Sequence, residues 1–174
     1  GGENKGWTYA KFLLGNERTG IARVGYSKQR VQRIKELAGQ VKAGDKTLID
    51  DERFREKVAA VEVELKALEM TQMRFLAAER GNTSGKPNPL TSMLKLKGSE
   101  IQQATTELLM EVAGPLAYPF VRDDDDMLGH NQPLLAPDWA QPTAPSYFNN
   151  RKVSIYGGSN EIQRNIITKA VLGL

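Results

Sequence analysis

Cysteine is absent from this sequence and histidine occurs once, at His130. The first absence excludes disulfides, thiolate metal ligands and thiol nucleophiles; the second leaves no set of imidazoles to hold a metal. No metal site is expected. Long apolar runs are missing too: nothing approaches the ~20 residues that span a bilayer, and no signal peptide opens the chain. Charge of one sign is scarce, since 24 Lys and Arg against 21 Asp and Glu leave a net +3. These charges are mixed along helical stretches. With aromatics at 7%, there is no basic patch with interleaved rings of the kind that grips nucleic acid. The expectation is a soluble, cytoplasmic protein that binds neither nucleic acid nor membrane. An initiating Met is lacking as well, and Gly1-Gly2 run straight into sequence that reads like the middle of a protein. Residues 1–174 are therefore expected to be one domain of a longer chain.

What is present is helical pattern. A chain of 174 residues with 40% hydrophobic residues has material for a real core. Val24, Val31, Ile34, Ala38 and Val41 recur on one helical face and predict a helix from about Glu17 to Lys42, ended by Gly44. Phe54, Val58, Val61, Leu65, Leu68 and Leu76 predict a second from about Asp51 to Arg80, with Asp50 or Asp51 as cap and acids in the first turn. A Gly, Asn, Ser and Pro linker follows at residues 81–89. Leu94, Ile101, Ala104, Leu108 and Val112 then mark a third helix that stops before Pro115, with Gly98 as a bend or a point of close packing. Residues 118–150, with the acidic run Asp123 to Asp126 and several prolines, read as a long loop insertion at the surface; a solvated loop explains that run and His130 better than a cation site. A fourth helix runs from Ser159 to about Leu172. With no credible strand pair, the economical architecture is all-α, an antiparallel four-helix bundle.

The tail is the most informative stretch. From Ile155 to Leu174 a short β-prone run ending in Tyr156 meets Gly157-Gly158, and an amphipathic helix capped by Ser159 follows. Glycines there let a ligand approach the main chain where a helix N-terminus supplies unpaired N–H donors and a positive dipole end. A polarised carbonyl, a phosphate or a flavin edge would suit such a turn. An ordinary loop with a serine cap accounts for the same residues.

Taken as whole strings, Gly6 to Ala22 (GWTYAKFLLGNERTGIA) and Ile155 to Leu174 resemble the acyl-CoA dehydrogenases. The likeness covers the entire chain but only the carboxy-terminal helical domain of such enzymes. Asn16 to Gly25 and Ser92 to Ile101 are similar to the large subunits of bacterial pimeloyl-CoA dehydrogenases. The resemblance implies α,β-desaturation of an acyl-CoA thioester with FAD as cofactor and electron-transfer flavoprotein as acceptor. A carboxylate takes the α-proton, and backbone donors hold the thioester oxygen. Many members carry that base directly after the tyrosine of the closing motif, where this chain has Gly157 after Tyr156. Others carry it in the first helix before an arginine, which implies Glu17 as base with Arg18 beside it at the substrate. A first-turn acid stabilised by the helix dipole is the plainer reading of Glu17, and Glu161 is the reserve candidate. By the same likeness the N–H of Gly157 holds the thioester oxygen, Tyr156 and Gly158 line the substrate, and Ser159 and Glu161 touch the flavin.

Two departures bear on assembly. The family's Arg-x-x-Phe-Gly, which holds the flavin pyrophosphate of a neighbouring subunit, is replaced by Asp50-Asp51-Glu52-Arg53-Phe54-Arg55, and its Gln-x-x-Gly-Gly by Glu111 to Pro115. Acid stands where a cation is needed. The implied assembly is a tetramer of like or unlike subunits, with an α2β2 arrangement following from these replacements. The alternatives are a non-catalytic scaffold subunit of a heteromeric acyl-CoA dehydrogenase and a free-standing helical interaction module.

Overall fold

The computed structural model describes residues 1–79, 91–119 and 136–174; within them the side chains of Lys11, residues 14–19, Glu79 and Val171 are outside the description. The helices are α1 (Gly6–Ile21), α2 (Val24–Ala38), α3 (Glu52–Glu79), α4 (Thr91–Ala113), α5 (Thr143–Asn150) and α6 (Asn160–Ile167). The all-α bundle is built round α4, which packs against each of the others. The core joins Val31, Ile34 and Leu37 of α2, Phe54, Val58, Leu65 and Leu68 of α3, and Leu94, Ile101, Leu108 and Val112 of α4. All of these but Leu37 are residues whose helical spacing marked the faces. Asp51 caps α3 by accepting from the N–H of Phe54 at 2.9 Å, and Glu52 occupies the first turn as the dipole favours.

Four differences from the sequence expectation have physical causes. The helix expected over Glu17 to Lys42 is two helices, broken where Arg23 turns left-handed (φ 47°). The break sits where fully buried Ala22 lies against Gly98 of α4. A Cβ on Gly98 would come within 2.6 Å of the Ala22 Cα, so tertiary packing, not local propensity, sets the corner. Further on, α2 ends at Ala38 with Gly39 as its cap, and Gly44 is not a helix stop. It is the left-handed residue (φ 66°) turning a short antiparallel hairpin of β1 (Lys42–Ala43) and β2 (Lys46–Thr47), the strand pair the sequence reading missed. Residues 118–150 are not loop throughout, because α5 closes that stretch with Pro145 accommodated in its first turn. The β-prone run before the glycines, Ile155-Tyr156, is no strand: it follows a 3-10 turn, Arg151–Ser154, and the N–H groups of Ile155 and Tyr156 both reach the Lys152 carbonyl. The linker at 81–89, the acidic run Asp123 to Asp126 and His130 lie outside the described residues.

Candidate active site

The middle of α4 gathers what matters. Gly98 presses on the end of α1 at Ala22, and the next residue, Ser99, reaches the first residue of α6. Gln102 adds a second tie by donating to the carbonyl of Ile21 at 3.4 Å. So a segment of about two helical turns draws the C-terminal end of α1 and the N-terminal end of α6 to one place.

At that place the chain makes two consecutive left-handed residues, Gly157 (φ 68°) and Gly158 (φ 86°). Any other residue type would be strained there. A Cβ on Gly158 would also lie 2.5 Å from Gln163 Nε2, which donates to the Gly158 carbonyl at 3.2 Å and pins the turn from beneath. Ser159 caps α6: its Oγ accepts from the N–H of Ile162 at 3.5 Å. The Glu161 carboxylate is exposed and held below the usual carboxylate range, first by its own backbone N–H, then by the Ser159 hydroxyl, with Arg164 and Lys95 adding attraction. Among the described residues nothing accepts from the N–H of Gly157 or Gly158. Two donors thus stand without an acceptor just before the positive end of a helix, beside half-exposed Tyr156 and a recess of about 520 Å³ that it lines with Lys152 and Ile155.

The end of α1 forms the other wall. The Ile21 Cδ1 lies 3.5 Å from where a Gly157 Cβ would sit. Position 17 is one turn earlier on the face of α1 that carries Ile21, a rise of about 6 Å. The side chains of Glu17 and Arg18 are outside the description, but the backbone corrects one expectation. Glu17 is not in a first turn: it lies four residues before the C-terminal end of α1, where the dipole does not favour a carboxylate. Helix stabilisation therefore does not account for it.

Beneath the turn lies a polar cluster that the apolar periodicity could not reveal. Lys95 is fully buried, and its Nζ donates to Asn160 Oδ1 at 2.8 Å; Asn160 Nδ2 donates to Ser99 Oγ at 3.0 Å, and Ser99 Oγ donates to the Leu96 carbonyl at 2.8 Å. Burial holds the Lys95 ammonium below the ordinary lysine value, while the charge of Glu161 opposes that shift. A signal was available: polar residues at 95, 99, 102 and 106 repeat at helical spacing along one line of α4.

Near the C-terminal end of α4, Glu111 of one motif departure is met by α3 two residues beyond the other. Lys57 near the start of α3 is bridged to Glu111 near the end of α4 at 2.7 Å. Asp51 is committed to its cap, and Asp50 accepts from the Thr47 hydroxyl, which lowers its pKa. Lys46 and Arg53 share a recess of about 300 Å³ with Asp50, Asp51 and Glu52. That surface is mixed in charge, with three carboxylates against two cations.

A family model described as the C-terminal domain of acyl-CoA dehydrogenase matches residues 4–172. The chain belongs to the acyl-CoA dehydrogenase family. It is 28% identical over 178 residues to the acyl-CoA dehydrogenase FadE26 of Mycobacterium tuberculosis, covering 100% of this chain and 41% of that protein. To the acyl-CoA dehydrogenase IpdE1 of the same organism it is 29% identical over 175 residues, covering 100% and 40%. The chain thus spans about two-fifths of the length of these relatives. A chain of the ChsE4-ChsE5 complex from Mycobacterium tuberculosis superposes with a TM-score of 0.74 at 26% identity, over 100% of this chain and 42% of that one. A glutaryl-coenzyme A dehydrogenase in complex with glutaryl-CoA superposes with a TM-score of 0.75 over 99% of this chain and 39% of that one; at 18% identity it speaks for the fold alone.

Proposed function

We propose that this chain supplies the base and the thioester-oxygen donors of an acyl-CoA dehydrogenase that desaturates an acyl-CoA at its α,β bond. Glu17 takes the α-proton, and the N–H of Gly157, with Gly158 beside it, holds the thioester oxygen as enolate character develops. Arg18 and Tyr156 flank the acyl group, and Ser159 and Glu161 meet the flavin edge. FAD, when bound, supplies the acceptor for the β-hydride, so that loss of a proton and a hydride leaves the new C=C bond balanced. The reading rests on one observation: the last turn of α1 and an unpaired pair of N–H groups at Gly157 and Gly158 share a wall at Ile21. Donors fixed in advance at a developing oxyanion act without reorganising during the reaction.

The test is Glu17→Gln in the full-length protein, with acyl-CoA and flavin binding measured beside turnover. Binding retained with turnover down about 10²- to 10⁴-fold is expected for loss of a general base. An unchanged rate removes Glu17 from the mechanism. A dicarboxylic thioester such as pimeloyl-CoA is the first substrate to try, with electron-transfer flavoprotein as acceptor.

The committed carboxylates at Asp50 and Asp51 and the Lys57–Glu111 bridge favour an assembly with an unlike subunit, α2β2 in the simplest case. Native mass spectrometry of co-expressed subunits should show the mixed tetramer; a homotetramer carrying a full complement of flavin argues against it. The same surface supports a second reading, a scaffold subunit that buttresses its partner's site. Retained turnover in Glu17→Gln would favour that reading.

A further inference from the structure

Neither the base nor the oxygen donors of the proposed site require a lysine in the core, yet Lys95 is 0% exposed and no carboxylate among the described residues lies within ion-pair distance of it. Burying an ammonium is unfavourable unless its bonds are put to use. A methionine would fill similar volume without that penalty. Every polar atom that Lys95 organises belongs to the mounting of α6. Its Nζ donates to Asn160 Oδ1 at 2.8 Å, an oxygen that also lies 3.1 Å from Ser99 Oγ, while Asn160 Nδ2 donates to Ser99 Oγ and Ser99 is anchored to the backbone of its own helix. Asn160 is the first residue of α6, two positions after Gly158, so its side chain fixes the helix end from which the free N–H groups project.

We infer that Lys95 is a positioning residue: through Asn160 it clamps the first turn of α6 onto α4, and so sets the angle at which the Gly157 and Gly158 N–H groups meet a ligand oxygen. The direction of those donors toward a thioester oxygen rests on the function proposed above; the clamp itself does not. The Gly98 contact with Ala22 sits on the same stretch of α4, so one helix segment holds both walls of the site at a fixed separation.

Two readouts on the full-length holoprotein keep the clamp and the function distinguishable. In Lys95→Met, amide hydrogen exchange over residues 157–164 should quicken at least about tenfold, as expected for loss of a charge-assisted hydrogen bond. Peptides from the buried face of α3 should keep their wild-type rates. Equal acceleration everywhere, or none at the turn, overturns the clamp. The second readout is the infrared stretch of a thioester carbonyl, ¹³C-labelled in bound pimeloyl-CoA with the flavin pre-reduced. The wild-type red-shift should fall by half or more in Lys95→Met and stay intact in Lys35→Met, a surface lysine of α2 bridged to Glu62 of α3. A full shift in Lys95→Met also overturns the positioning role. No shift in the wild type, with the exchange result as expected, sinks the thioester reading and leaves the clamp standing. Should Lys95→Met fail to fold, Asn160→Ala carries both measurements with the same expected signs.

Discussion

A single methyl group at Gly98 tests whether α4 really brings the two walls together. Alanine there would put its Cβ 2.6 Å from the Cα of Ala22, 2.9 Å from its carbonyl oxygen and 3.1 Å from its carbonyl carbon. Carbon atoms normally rest at about 3.5–4.0 Å, so close to 1 Å must be found. The obstacle is backbone in a fully buried residue, beside a left-handed Arg23, and it cannot swing aside as a long side chain would. Overpacking of this kind typically costs about 1–3 kcal/mol, and the rigidity of the obstacle places Gly98→Ala at the upper end. Against that stands a gain of about 1 kcal/mol for alanine over glycine inside a helix. The expected net loss is about 2 kcal/mol. For a cooperative unit of this size that is a fall of about 4–8 °C in melting temperature, followed by circular dichroism. Gly25→Ala in α2 is the matched control, since nothing lies within 4 Å of its added methyl group, and it should gain about 0.5 kcal/mol. Because the push separates α1 from the α6 turn, turnover should fall by more than the loss of folded protein accounts for. Gly98→Ala melting at or above wild type would refute the close approach and the geometry built on it.

Three further outcomes are expected. Arg30, buried in α2, donates to the Gln102 carbonyl at 3.1 Å, to Thr105 Oγ1 at 3.0 Å and to the Tyr26 hydroxyl at 2.9 Å. Lysine cannot reproduce that fork, so Arg30→Lys should lose about 1–3 kcal/mol in urea unfolding, and a loss under 0.5 kcal/mol would contradict a structural role. Gly157→Ala meets only an ordinary contact with Ile21, so its expected loss of about 1–2 kcal/mol, read by thermal melting, measures the left-handed backbone alone. On pH, the carboxyls of Asp50 (held first by the Thr47 hydroxyl), Glu69 (first by Lys28) and Glu161 are lowered in the folded state, so they stabilise above their ordinary values of 3.8 and 4.5; that stability drains as pH falls through the folded values. Lys95 has the opposite window: lowered by burial, it is bound by protons more weakly folded than unfolded, so stability rises as pH climbs toward 10.5. Lys97, raised first by its bond to Glu64, loses stability above 10.5, and comparing melting curves of Lys95→Met with wild type between pH 8 and 10.5 isolates the Lys95 contribution.

The helices that carry a continuous apolar line were legible: Phe54, Val58, Leu65 and Leu68, and Leu94, Ile101, Leu108 and Val112, are buried where their spacing put them, while Val61 and Ala104 are half-buried and Leu76 is exposed. Caps read true as well, because Asp51 and Ser159 act through bonds three residues away, within local sequence. Features created by distant partners were not legible. Nothing near Arg23 announces a helix break; Ala22 is stopped by a glycine 76 positions later. The hairpin at Gly44 was hidden by a helical pattern running straight into it, and α5 by prolines that are harmless in a first turn. The turn at Gly157 and Gly158 was visible because two adjacent glycines have few other uses. Lys95 was passed over for the converse reason: a lysine on a helix is assumed to face water.

Family membership and the surface chemistry of α3 pull in different directions, and the geometry says where they part. The α6 turn keeps two N–H donors with no acceptor among the described residues, beside a capped helix end and a buried lysine. The α3 entrance spends its carboxylates on local structure, with Asp51 on a backbone N–H, Asp50 on Thr47 and Glu111 on Lys57. A cation neutralised by a bridge, and acids engaged in holding the chain, have little left for a neighbour's phosphates. Under the proposed function, then, one face of this domain serves its own active site while the other has been released from serving a second copy. Restoring positive charge with Glu111→Gln would free Lys57, yet Asp50 and Asp51 would still repel an anion, because removing either one also removes a turn or a cap. A single substitution is therefore not enough to turn the start of α3 into an anion site, which is the expectation the proposed unlike-subunit assembly makes of it.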